Sequence, residues 1–125
     1  MELADERIRC LRKFQKELSA GTVSLALLAV LAQADAPLYD YLIAKRLERL
    51  ERLGGVLSGK QSALYPVLRN LDGAGLPHSH VEPSASGPPQ RYYRITQTGR
   101  DCLRDWSAAW RATRDSGDAV LEGTY

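Results

Sequence analysis

The chain has 125 residues, enough for one domain with a single modest core. Apolar residues make up 44% and charged residues 26%, the balance of an ordinary soluble globular protein. A formal charge of +2 is too small to announce a nucleic-acid binder by itself, so any basic surface must be local.

The opening residues, "MELADERIRC", are charged and lack a signal-peptide profile. Residues 4–18 read as an amphipathic helix with Ile8, Leu11, Phe14 and Leu18 as its apolar stripe. "SAG" (19–21) is expected to stop it. A second helix follows from about Thr22 to Gln33. Its run "VSLALLAVLA" is too short for the ~20 apolar residues of a membrane span, and its lack of charge predicts a fully buried helix. "DAP" (35–37) ends it, because the residue before a proline avoids the helical region.

A third helix is expected from about Leu38 to Leu53, with Ile43, Leu47 and Leu50 inward and a Glu48–Arg52 ion pair outside. Gly54–Gly55 breaks the chain. In "SALYPVLRNL", Leu64, Val67, Leu68 and Leu71 mark the buried face of a fourth helix. Ser58 and Ser62 are equal candidates to cap it. Pro66 lacks an N–H, which places the helix start nearby and the proline on the outer side. "DGAGL" (72–76) closes this helix with glycine.

The period then changes. "HSHVEP" and "QRYYRIT" flank "SASGPP" and read as a hairpin with a longish loop. Thr96 is the expected N-cap of a last helix carrying Leu103, Trp106, Trp110 and Thr113, and "GDAVLEGTY" is expected to fray. The fold class is mainly α, with some β. A helix–turn–helix followed by a hairpin is the winged-helix arrangement.

The chemistry gathers on the fourth helix. Opposite its buried face stand Ser62, Tyr65, Pro66, Arg69 and Gly73, with Lys60 and Gln61 at its start. A helix start favours phosphate, and Gln, Arg and Lys match base edges in a major groove that admits one helix. The same pattern describes any solvated helix face. The hairpin adds Arg91 and Arg94. Over 60–95 the four cations Lys60, Arg69, Arg91 and Arg94 face only Asp72 and Glu82, a surplus equal to that of the whole chain.

The segments "LYDYLIAKRL", "SALYPVLRNLDGAGL" and "GPPQRYYRITQTGR", with the Trp-bearing last helix, resemble the PadR family of bacterial transcriptional regulators over roughly residues 21–115. The short C-terminal part resembles its small subfamily with a single terminal helix. The resemblance implies a cytoplasmic winged helix-turn-helix homodimer with an N-terminal helix (1–20), a DNA-binding domain (21–95) and a long C-terminal dimerisation helix (96–125). It implies a palindromic operator, repression, and often release by a small aromatic ligand. The "LYP" helix becomes the recognition helix, with Tyr65 and Arg69 toward DNA. "GPPQRYYR" becomes the wing, carrying Arg91 and Arg94, and Tyr41 takes the family's phosphate-side tyrosine. Trp110 falls on a dimer-interface position that lines a ligand cavity in some members. Leu11, Phe14, Leu18, Leu103, Trp106 and Thr113 join the expected interface.

The chain departs from the family pattern at several points. Tyr39-Asp40 replaces a usual His-Gly, which puts a carboxylate near the expected DNA face, and Leu42 replaces an acidic residue. Pro77 cannot donate a ladder bond, so the first wing strand is expected to shorten to its later part.

Other candidates have plainer readings. Trp106 and Trp110 serve either as dimer core or as ligand walls. His78-x-His80 lacks the further ligands of a metal site. Cys10 and Cys102 match no zinc or redox spacing and read as free thiols in a reducing compartment. Asp101, Asp105 and Asp115 read as a solvated helix surface. No nucleophile–base pair, phosphate loop or HExxH motif points to an enzyme, and no cofactor is expected. The rival to a DNA-binding regulator is a winged-helix protein–protein adaptor without DNA readout.

Overall fold

A computed structural model describes residues 2–51 and 61–125. Arg52, Leu53, Gly54–Gly55, Ser58 and Lys60 lie outside the described residues, as does the side chain of Gln61. The elements are α1 (Glu2–Gln33), β1 (Leu38–Tyr39), α2 (Asp40–Glu51), α3 (Gln61–Gly73), β2 (Pro77–Glu82), β3 (Gln90–Ile95) and α4 (Gln97–Leu121). The three strands form an antiparallel sheet in the order β1-β3-β2, so the hairpin gains a third strand. Helix–turn–helix and wing follow one another along the chain, and the fold is a winged helix.

The expected break at "SAG" does not occur, and α1 is one helix of 32 residues. Ser19 and Thr22 do not cap. Their hydroxyls donate back to helix carbonyls, Ser19 Oγ to Lys16 O at 3.3 Å and Thr22 Oγ1 to Ser19 O at 3.1 Å. The local stop signal is thus spent inside the helix. Gly21 costs about 1 kcal/mol there, a small sum beside the burial of the residues that follow it. Ala26, Leu27, Leu28, Val30 and Leu31 are all core. By length and composition α1 is long and apolar enough to cross a membrane, yet its apolar end is the centre of this core.

The core joins those residues to Leu38, Ile43, Ala44, Leu47, Leu64, Leu68, Leu71, Leu76 and Tyr93. Leu38 and Tyr39, expected to open a helix, form β1 instead. They pair with Tyr93 and Tyr92 of β3, and that cross-strand pairing outweighs local helix preference. α2 buries Ile43, Ala44 and Leu47, whereas Leu50, expected inward, is 48% exposed. Its position lies one turn beyond the contact that α2 makes with the core.

Pro66 sits inside α3 rather than in its first turn, on the exposed side. The helix stops where Gly75 takes φ 78°. The N–H of Leu76 donates to Leu71 O at 3.1 Å and that of Gly75 to Asp72 O at 2.9 Å, which satisfies the last carbonyls. β2 runs in full from Pro77, contrary to the expected shortening. The proline is tolerated because it is the first residue of an edge strand.

Thr96 caps α4 as its position predicts, with Oγ1 accepting from Gly99 N at 3.0 Å. The N–H of Thr96 also donates to Leu76 O at 2.9 Å, which draws the start of α4 onto the turn after α3. Gly99 is buried against that turn, and a Cβ there would overlap Leu76 O. α4 does not fray at Gly117. It continues to Leu121, and Gly123 with φ 78° follows.

Candidate nucleic-acid interface

α3 lays Leu64, Leu68 and Leu71 on the core and leaves Ser62, Pro66, Arg69 and Gly73 exposed, with Tyr65 half-buried. The outer face therefore holds the residues that helical spacing places there. Beside it, β1 covers only Tyr92 and Tyr93 of β3. The first residues of β3 run on past the end of β1 and leave a groove of 350 Å³, lined by Tyr39, Asp40, Tyr41, Tyr65, Arg69, Pro89, Gln90, Arg91 and Tyr93. Four separate elements meet in it: the end of β1, the start of α2, the outer face of α3 and the base of the wing.

The groove carries two guanidiniums, Arg69 and Arg91, neither of which forms an ion pair among the described residues. Against them stands Asp40, whose Oδ1 is buried with no hydrogen-bond partner among the described residues. Burial raises the Tyr93 phenol above its ordinary value; Asp40 raises it further and Arg91 opposes. Near neutral pH Tyr93 is therefore an uncharged, buried floor of the groove.

The sheet pairing is regular from Pro77↔Ile95 to Glu82↔Gln90, so side chains alternate between its two faces. Arg91 shares the face of Tyr93 and Ser79, toward α3. Arg94 shares the opposite face with His78 and His80, and lines a different cavity of 250 Å³ with Asp35 and Arg100. The structure thus brings Tyr41, Tyr65, Arg69 and Arg91 together and separates Arg94 from them. The odd spacing of 91 and 94 on one strand is a sequence signal for that separation.

On the outer face an aromatic row crosses all three strands. His80 stacks on Tyr92 at 5.8 Å, Tyr92 meets Tyr39 edge-on at 5.6 Å, and Tyr39 stacks on Tyr41 at 6.4 Å. Lys45 Nζ lies 5.5 Å over the Tyr41 ring. The row fixes Tyr41 at the groove's edge. His80 Nε2 is 3.0 Å from Glu82 Oε1, and among the described residues no group of three His, Cys, Asp or Glu could hold a metal ion. Cys10 is exposed and Cys102 half-buried, both free thiols.

A second surface lies along α1 and α4. Leu11, Phe14 and Leu18 are 55%, 58% and 55% exposed, and Trp110 is 41% exposed. Leu103 and Trp106 are half-buried against the core, and Thr113 is exposed. A cavity of 460 Å³ runs between the two helices, lined chiefly by Leu18, Thr22, Leu25, Trp106, Trp110 and Thr113.

A winged helix with a cationic, tyrosine-lined groove beside the second helix of its helix–turn–helix has the form of a DNA-binding regulator. Residues 27–105 match the transcriptional regulator PadR-like family, and the chain belongs to that family. No curated protein matches it. Among solved structures, a PadR family transcriptional regulator from Eggerthella lenta DSM 2243 is 28% identical, with a TM-score of 0.72, over 98% of this chain and 99% of that one. A PadR-like transcriptional regulator from Bacillus cereus is 20% identical, TM-score 0.64, over 86% of this chain and 98% of that one. Bacillus subtilis PadR in complex with operator DNA is 24% identical, TM-score 0.58, over 68% of this chain and 46% of that one. The last two show the fold.

Proposed function

We propose that this chain is a sequence-specific DNA-binding repressor that acts in the cytoplasm as a homodimer on a palindromic operator. The observation that carries the reading is the convergence of Tyr41, Tyr65, Arg69 and Arg91 on one groove beside the exposed face of α3. In this reading α3 enters the major groove, with Ser62 near its leading end and Arg69 further along. Arg91 and Tyr41 hold the flanking backbone, since phosphate contacts fix register while base edges give sequence. Arg94 stands off the other sheet face and is not assigned to this interface.

The dimer forms along α1 and α4. Their uncovered apolar residues, Leu11, Phe14, Leu18 and Trp110, would be covered by the same residues of a second copy, with Leu103, Trp106 and Thr113 behind them. The cavity beside Trp106 and Trp110 is the place for a small aromatic effector whose binding alters the spacing of the two recognition helices.

Fluorescence anisotropy against DNA taken from upstream of the protein's own coding region tests the reading. Binding that falls with salt, at two chains per site, supports it. Absence of binding at low salt favours the adaptor role, for which Asp40 in the groove would be the acidic determinant.

A further inference from the structure

Asp72 of α3, Ser79 of β2 and Arg91 of β3 form a chain of hydrogen bonds across three elements. Ser79 Oγ donates to Asp72 Oδ2 at 2.5 Å, and Arg91 Nη1 donates to Ser79 Oγ at 3.0 Å. A hydroxyl has one proton to give and lone pairs to accept with. Here the proton goes to the carboxylate, and a lone pair faces the guanidinium. Ser79 occupies the sheet face of Tyr93 and Pro77, both buried, where an apolar side chain is the default.

The geometry points to Ser79 as a positioning residue that holds the Arg91 guanidinium over the groove and ties the wing to the recognition helix. This rests on the DNA-binding reading for its consequence, though not for its geometry. Arg91 and Asp72 form no direct ion pair, because the hydroxyl stands between them. Arg91 uses one of its five N–H groups on Ser79 and keeps the others for an acceptor in the groove. A direct Asp72–Arg91 pair would turn the guanidinium toward α3 and cancel its charge. Ser79 therefore acts as a spacer, close enough to orient Arg91 and wide enough to leave its charge available. Asp72 also follows Arg69 by three residues on α3, so the chain ties Arg91 to the helix end that carries Arg69.

The test uses the full chain as Ser79→Ala, Ser79→Thr and Arg91→Ala, with two readouts. Nitrogen NMR of the arginine guanidinium groups in the free protein should show slowed rotation for Arg91 in the wild type and in Ser79→Thr, which keeps the hydroxyl, and free rotation in Ser79→Ala. On DNA, Ser79→Ala should lose several-fold in affinity and about one unit of salt slope, with Ser79→Thr near wild type and no added loss in the Arg91→Ala background. Unchanged Arg91 signals in Ser79→Ala, or an equal loss with Arg91 already removed, would overturn the assignment. If the wild type binds no duplex DNA, the DNA-binding reading fails, while the NMR comparison still upholds or overturns the placement of Arg91.

Discussion

Arg91 and Arg94 lie three residues apart on one strand and occupy opposite faces of the sheet, one in a groove with Arg69 and the other in a separate cavity with Arg100. A wing read only from charge would treat them as equivalent. Strand alternation makes them different tools.

Arg91→Ala is therefore expected to weaken DNA binding roughly tenfold and to lower the salt slope by about one unit, as for the loss of one phosphate contact. Arg94→Ala is expected to leave affinity within about twofold. Anisotropy titrations at several salt concentrations check both. Equal losses from the two variants would mean that the wing is engaged from both faces.

Gly99 is expected to tolerate no side chain. A Cβ there meets Leu76 O and the Ile95 side chain, and the Thr96 cap prevents α4 from backing away because it is bonded to Leu76 as well. Gly99→Ala should destabilise by about 1–3 kcal/mol, the ordinary cost of overpacking a fixed site. Thermal unfolding measures it, and a melting temperature equal to wild type would show that the junction yields.

Some of the fold was legible in the residues and some was not. The cap at Thr96 and the glycine stop after α3 were readable because both are local chemistry: a hydroxyl three residues before an N–H, and a backbone that must turn left-handed. The continuity of α1 was not, because Ser19, Gly21 and Thr22 carry stop signals that packing overrides. β1 was not, because a two-residue strand exists only through its partner on β3. The outer face of α3 followed from helical spacing. The groove needed the end of β1, the tip of α2 and the base of the wing together. Asp40 was readable as a carboxylate near the expected DNA face, whereas Ser79 gained its role only through its hydrogen bonds to Asp72 and Arg91.

Alkaline unfolding should depend on Tyr93. Its phenol is held above the ordinary value of about 10 by burial first and then by Asp40. The unfolded chain gives up this proton at lower pH than the native one. The contribution is thus fully present below about pH 10 and lost as pH rises through the higher native value. Tyr93→Phe should flatten the decline in stability above pH 10, as read by denaturant midpoints across pH. A slope identical to wild type would place the alkaline transition elsewhere.

The uncovered stripe on α1 should be sensitive to charge. Phe14→Asp puts a carboxylate at the centre of the proposed seam, where an unpaired buried charge is costly. Sedimentation should show the wild type as a dimer and the variant as a folded monomer with unchanged helix content. A dimer that survives this substitution would place the seam on another surface.

In the proposed dimer, two copies aim α3 and the wing base at successive turns of duplex DNA. Selection from a random duplex pool by the purified protein tests this arrangement most directly. It predicts enrichment of an inverted repeat whose half-sites lie about one helical turn apart, ~34 Å. Enrichment of no sequence at low salt, or of a single asymmetric site, would contradict it.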